Sequence, residues 1–319
     1  MTIVPGVTAR VPAKLNLQLA VGPRRADGYH GLVTVFHAVS LFDEVTAESA
    51  GQDGVTVTGE GADRVPADQD NLALRAVTAL RAAVGGAVRA AGVHVTIAKR
   101  IPVAAGLAGG SADAAGALVA CNELWRSGLT QRQLVTVAAK VGSDVAFALL
   151  GGTAVGRGRG ERLTPALAPA TQYHWVLAFA DGHLSTPEVY AALDRRRATG
   201  AGGTGGMAQG APAEPDLDAA LMSALRSGEA RLVGQTLSND LQPAALSLFP
   251  SLRKTLAAGL ELGALGALVA GSGPTCVFLA ASADRALDLA VSLSGAGVCR
   301  SVARVTGPVA GAAVVPPSK

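Results

Sequence analysis

Aromatic residues are scarce in this 319-residue chain, only 3% of it, which leaves few rings on which the bases of a nucleic acid could stack. Charge is also sparse at 16%, and it nearly balances at +3. A nucleic-acid reader is therefore not expected, and a small anionic ligand fits better. The three cysteines, Cys121, Cys276 and Cys299, lie far apart with no C-x-x-C pair. Neither a disulfide framework nor a zinc site is suggested, and they read as buried small residues in a reducing compartment. The start, Met1 to Gly6, lacks a basic stretch followed by an apolar run, so no export signal is expected and the chain reads as cytoplasmic. Leu262 to Ala283 is uncharged and long enough for a bilayer, but Gly271-Ser272-Gly273-Pro274-Thr275 breaks it. It reads as core helix, loop and strand, with no membrane partner.

What is abundant is glycine and alanine, and one stretch concentrates them: Pro102-Val103-Ala104-Ala105-Gly106-Leu107-Ala108-Gly109-Gly110-Ser111-Ala112. Val93, Val95 and Ile97 alternate with His94, Thr96 and Ala98 before it, the period of a strand; Ala115, Leu118, Cys121 and Trp125 recur after it at helical spacing. A helix start leaves backbone N–H groups unpaired, and glycines let a bound group approach them closely. The stretch is an anion site, most naturally for phosphate, or else a turn that only packs a helix on a sheet. It is not a P-loop, because Ser111 rather than Lys follows Gly110, and it lacks the spacing and position of a dinucleotide fingerprint.

A second group lies near the N-terminus. From Val11 to Leu19 the odd positions are apolar, so Lys14, Asn16 and Gln18 share the other face of a strand. They either grip a small polar ligand or form a solvated sheet face. Arg24 to His30 is a turn around Asp27-Gly28, leading into a strand from Leu32 to Leu41. There Tyr29 either stacks on a base while His30 reads its edge, or it covers the end of the sheet. Val55 to Thr58 is another strand, and Asn71 is a natural N-cap for the helix after it. Lys140 to Gly152 reads as a short apolar helix with Ser143 and Asp144 at its start; Asp144 either caps it or pairs with a cation, for which Lys14 is a candidate.

Gly156-Arg157-Gly158-Arg159-Gly160 is followed by no helical pattern and reads as a basic turn into the next domain. Val176 to Ala180 is a buried strand, and Ser185 or Thr186 caps a helix with Pro187 in its first turn. Thr199 to Asp216 has little to bury and reads as a flexible surface insertion. Asp218 to Leu225, Leu232 to Leu237 and Leu252 to Leu262 have helical spacing, and Cys276 to Ala280 is a strand. The Ala- and Pro-rich tail from Gly307 is expected to be disordered.

Taken in order, Pro12 to Leu17, the Arg25 to His30 turn, Gly106 to Ala115, Gly142-Ser143-Asp144-Val145 and Gly271 to Thr275 resemble the motifs of GHMP kinases, over about Thr8 to Val305. The first two resemble specifically those members that act on a cytidine diphosphate-linked polyol. The resemblance implies an α+β, two-domain fold: a ribosomal-protein-S5-like ATP-binding domain over 1–160, a ferredoxin-like domain over 161–308, and a disordered 309–319. It implies ATP and Mg²⁺ as cofactors, phosphorylation of the 2-hydroxyl of a methylerythritol unit, and a monomer or weak homodimer. Residue by residue, it makes Lys14 and Asp144 the catalytic pair, and gives ATP to Pro102 through Ala112 and Asn71. Ser111 would be a Mg²⁺ ligand. Asn16, Tyr29, His30, Phe36, Thr186, Tyr190, Gly271 and Ser272 would surround the substrate, with Tyr29 and Tyr190 sandwiching the cytosine. Ala105 and Ala108 stand where many relatives have glycine. Homoserine or mevalonate kinases on this fold, and a nucleotide-binding regulator without turnover, are the alternatives; the Tyr29-His30 turn with Tyr190 speaks against the former, retention of Lys14 and Asp144 against the latter.

Overall fold

The structure, a computed structural model, describes residues 6–84, 92–169, 171–199 and 215–316. The first half runs β1 (Val7–Arg24), β2 (His30–Ala50), β3 (Gly54–Gly59), α1 (Leu72–Val84), β4 (Gly92–Lys99), α2 (Gly109–Leu124), α3 (Gln131–Val141), α4 (Ser143–Leu150), β5 (Thr153–Gly158) and β6 (Arg162–Pro165). The second half runs β7 (Tyr173–Phe179), α5 (Thr186–Ala198), α6 (Ala219–Ser227), α7 (Ala230–Gln235), β8 (Ser238–Asn239), α8 (Gln242–Leu248), α9 (Leu252–Glu261), β9 (Gly266–Val269), β10 (Cys276–Ala280), α10 (Ala283–Gly295), β11 (Ser301–Gly307) and β12 (Ala313–Val314).

The larger sheet is ordered β12-β1-β2-β4-β3, with β5 and β6 joined to one end of β2 and β8 to β1. Its long strands β1 and β2 pair antiparallel, with register shifts that include one between Pro12 and Ala13, where proline has no N–H for the ladder. In β1, Leu19 and Val21 join the core of the second half, while the odd residues from Ala9 to Leu17 are buried in the main core, against which α2 packs. The helix lies so close there that a Cβ on Gly116 would come within 2.6 Å of the Val45 side chain, which is why its buried face is nearly all alanine and glycine.

The second sheet, β11-β7-β10-β9, is wholly antiparallel. One face shares the main core through Trp175, Leu177 and Leu279, and the other packs on α5, α8, α9 and α10. The two sheets therefore meet through a common apolar interior. His37 of β2 sits inside it beside Tyr173 and Trp175, and burial pushes its imidazole down to about 3.

Several expectations change. Gly156 to Gly158 belong to β5, so the glycine–arginine stretch is the end of a hairpin, and the first sheet extends past 160 to Pro165. Leu262 to Ala283 holds two paired strands, β9 and β10, where a helix and a strand were expected; β-branched and small residues in a short run favour a strand once a partner is beside it. The tail expected to be disordered is ordered up to residue 316: Ala313–Val314 adds a strand to β1, and Ala310 bridges to Gly151. A free sheet edge recruits main chain of almost any composition. Most of the 199–216 insertion lies outside the described residues.

Candidate active site

Lys14 and Asn16 stand on the same face of β1, as their spacing requires, and that face is buried. The Lys14 ammonium donates to Asn16 Oδ1 at 2.7 Å and to the Gly106 carbonyl at 2.9 Å, and lies 3.8 Å from Asp144 Oδ2. Asn16 is itself oriented by donating to Thr34 Oγ1, whose hydroxyl donates to the Gln18 carbonyl. Burial pulls the Lys14 pKa down, and the Asp144 charge opposes that pull. Gln18 takes no part in the site: its amide bonds the backbone of Asp216 and Asp218, anchoring the start of α6.

Asp144 opens α4, yet no side chain caps that helix, whose N-cap is Gly142. The carboxylate instead faces Lys14 and remains about a third exposed. Its negative charge, added to burial, lifts the Tyr190 hydroxyl to about 12.

The glycine-rich stretch joins β4 to α2. Ala104, Gly106 and Ala108 all take positive φ, and α2 starts at Gly109 with no side-chain cap. Its opening turn thus presents N–H groups with no side chain to accept from them, amid only alanine, glycine and serine. That surface fits a polyphosphate. Ala104, Ala105, Gly106, Ala108, Gly109, Gly110 and Ser111 line a cleft of about 1410 Å³. The flanking residues do not: Leu107 and Ala112 are buried in the core, and Pro102 and Val103 line a separate hollow beside Arg64 and Arg300. Alanine holds the left-handed conformation at 104 and 108 at some cost in strain.

Asn71 caps α1: its Oδ1 accepts from the Ala73 N–H and its Nδ2 donates one hydrogen to the Pro66 carbonyl, leaving the second N–H over, while the next residue, Leu72, lines the cleft.

Beneath the loop is a group the sequence did not reveal. Lys99, the last residue of β4, donates to Asp43 at 2.5 Å and to Asp113 at 2.7 Å, and all three are buried. The other Asp43 oxygen accepts from the N–H groups of Arg100 and Ile101, which lead into the loop. With two carboxylates on one ammonium, burial pushes Asp113 up to about 7. The only trace in the sequence is an Asp early in a buried helix and a Lys closing a strand.

At the other end of the cleft, His30 Nε2 meets Asp194 Oδ1 at 2.9 Å, and its ring lies 5.0 Å from that of Tyr190. Thr186 and Ser272 hydroxyls bond each other at 2.8 Å, joining α5 to the Gly271 loop. Phe36 stacks on Phe147, 4.8 Å away, and forms part of the wall. Tyr29 is more than half exposed and is covered by the Arg159 guanidinium, 3.9 Å above its ring. All eight residues expected around a substrate, Asn16, Tyr29, His30, Phe36, Thr186, Tyr190, Gly271 and Ser272, line the same cleft as Lys14 and Asp144. Tyr29 and Tyr190 both line it, and the ring in contact with Tyr190 is that of His30.

Residues 71–152 match the family model for the GHMP kinases N terminal domain, and residues 221–299 that for GHMP kinases C terminal. The chain is 56% identical to the 4-diphosphocytidyl-2-C-methyl-D-erythritol kinase of Mycolicibacterium smegmatis over 97% of this chain and 92% of that one. It is 54% identical to the enzyme of the same name from Thermobifida fusca over 99% of this chain and 100% of that one. Among solved structures it resembles a 4-(cytidine 5'-diphospho)-2C-methyl-D-erythritol kinase at 35% identity, with a TM-score of 0.72 over 93% of this chain and 98% of the other. Motifs, cleft and relatives agree: the chain belongs to the GHMP kinases, in the family of the 4-diphosphocytidyl-2-C-methyl-D-erythritol kinases.

Proposed function

We propose that this chain transfers the terminal phosphoryl group of ATP to the 2-hydroxyl of 4-diphosphocytidyl-2-C-methyl-D-erythritol. The observation that carries the reading is the meeting, in one cleft, of the Lys14–Asp144 pair, an uncapped helix start and the His30–Tyr190 pair.

Each residue then has a physical task. Asp144 accepts a hydrogen bond from the substrate hydroxyl, aims its oxygen, and receives its proton. A carboxylate is a weak base toward an alcohol, but phosphoryl transfer through a loose transition state needs little early deprotonation. Lys14 faces the Asp144 carboxylate and offsets charge on the group in transfer, held in place by Asn16 and the Gly106 carbonyl. The first N–H groups of α2 hold phosphate oxygens at fixed positions, so little reorganisation is left for the reaction itself. His30, fixed by Asp194, reads the edge of a pyrimidine that packs on Tyr190.

Bound Mg²⁺ supplies neutralisation of phosphate charge. Among the described residues no group of three acidic, His or Cys side chains could hold it. The Ser111 hydroxyl would be its protein ligand, with phosphate oxygens and water as the others, the usual mode for this cation.

Incubation with ATP and Mg²⁺ plus the cytidine diphosphate-linked alcohol, homoserine or mevalonate in parallel tests the reading. ADP release with the first alone is expected; release with either of the others, or with none, refutes it.

A further inference from the structure

The second arginine of the glycine–arginine stretch has no place in the chemistry above, yet it lines the cleft. Arg159 sits at the tip of the β5–β6 hairpin, and the two ends of its environment differ. On one side the neighbouring Gly160 lies against Phe36 and Ser143, each 3.5 Å from where a Cβ would stand. Ser143 directly precedes Asp144. On the other side the guanidinium lies on Tyr29 and its Nη2 bonds Asp27 Oδ2 at 3.2 Å. Tyr29 directly precedes His30. The Arg159 guanidinium therefore stands at the base-reading end of the cleft, one residue along the chain from Gly160, which lies toward the group that would receive the hydroxyl.

In the proposed substrate the interval between base and hydroxyl is occupied by a diphosphate. We propose that Arg159 binds this diphosphate and makes it a determinant of substrate choice, an assignment that rests on the kinase reading above.

The local charges support it. Asp27 lies between two guanidiniums, 3.2 Å from Arg159 and 3.9 Å from Arg25, so the mouth has more positive than negative charge to offer. Glu161 is turned aside, its carboxylate accepting from the Arg159 main-chain N–H at 2.6 Å. Arg24, Arg25 and Lys140 line the cleft as well, but Arg24 bonds the Gly28 carbonyl and Arg25 faces Asp27, while Lys14 is held by Asn16 and the Gly106 carbonyl. The bond Arg159 would give up is a single one to a half-exposed carboxylate, and such a pair contributes little. What it would gain is a two-pronged, charge-assisted grip on phosphate. Stacking on Tyr29 keeps the side chain at the mouth meanwhile, so little freedom is lost when a ligand arrives. Arg157, two residues earlier, is in β5 and does not line the cleft.

Calorimetric titration of the full chain with cytidine and with cytidine diphosphate separates base from phosphate. The wild type should bind the diphosphate more tightly. Arg159→Ala should weaken diphosphate binding about tenfold, the scale of one charge-assisted bond at a partly exposed site, and leave cytidine within about twofold. Arg159→Lys, which keeps charge without the fork, should fall between. Equal loss for both ligands would mean that Arg159 only props Tyr29, and no loss for either, or a lysine variant as weak as alanine, would also overturn the assignment. Turnover by the wild type is followed in parallel. Failure to phosphorylate the cytidine diphosphate-linked alcohol sinks the kinase reading, whereas normal turnover with an unaltered Arg159→Ala affinity profile sinks this assignment alone.

Discussion

Lys14 and Lys99 are both buried, both face aspartate, and both touch the structure around the same glycine-rich loop. Lys99 is closed in: its two carboxylates lie at 2.5 and 2.7 Å, and one of them also holds the main chain entering the loop. Lys14 is left open: its aspartate is 3.8 Å away and partly exposed, and its firm bonds go to neutral oxygens. A buried charge with ideal partners is fixed in place and does nothing else; one with a looser partner can exchange that partner for a reacting group. The first arrangement fixes the entry to the loop, and the second lines the open cleft beside it.

The sharpest way to break the contrast is to remove the open pair's carboxylate. Asp144→Asn should lower kcat by about 100- to 10,000-fold, the range for a positioned proton acceptor, while ATP affinity and melting temperature barely move. Steady-state kinetics with thermal melts on the same preparation would check this, and a wild-type kcat would contradict the role. The same operation on the closed group should do the opposite. Asp43→Ala leaves Lys99 only Asp113 and strands two backbone N–H groups, and should cost about 2–5 kcal/mol of stability, read as a shift in the urea midpoint. A midpoint unchanged from wild type would remove the closed lysine from any structural role.

The mildest test concerns Asp113. Its carboxyl holds a proton up to about 7 in the folded chain against a usual value of 3.8. The native state thus binds more protons between those values, and this group's contribution to stability falls as pH rises from about 4 to about 7, then levels off. Asp113→Asn, neutral at every pH, should flatten that slope and be the more stable form at pH 8 when melts are compared from pH 4 to pH 8. Parallel slopes in the two proteins would mean that Asp113 ionises freely.

Much of this arrangement was legible because strand and helix periods are simple. Alternation put Lys14 and Asn16 on one face, and the passage from alternating valines to a helical pattern located the helix start, at Gly109, within the Pro102 to Ala112 stretch expected to bind an anion. The pairing of Asp144 with Lys14 was one of two open readings, decided by the absence of any cap bond from Asp144. What stayed hidden depended on long-range packing. Nothing local brings Asp43 to Lys99, 56 residues away, since that meeting is made by β2 pairing with β4. Asn71 was legible as a cap, and its Oδ1 does accept from the Ala73 N–H at the start of α1. The strand near the C-terminus escaped notice because its signal lies in the open edge of β1, and the segment itself carries none.

The crossing of two glycine loops has a consequence of its own. A Cβ on Gly106 would collide with the Ala270 carbonyl, and one on Gly271 would stand 3.3 Å from the Lys14 ammonium. The Lys14 ammonium is therefore flanked by main chain from the far half of the polypeptide at Gly271 and by main chain from the near half at Gly106. Severed at the junction between the sheets, neither fragment would own a complete seat for it. The tightest point of that crossing is residue 106, where a single added methyl would run into the main chain of the opposite half.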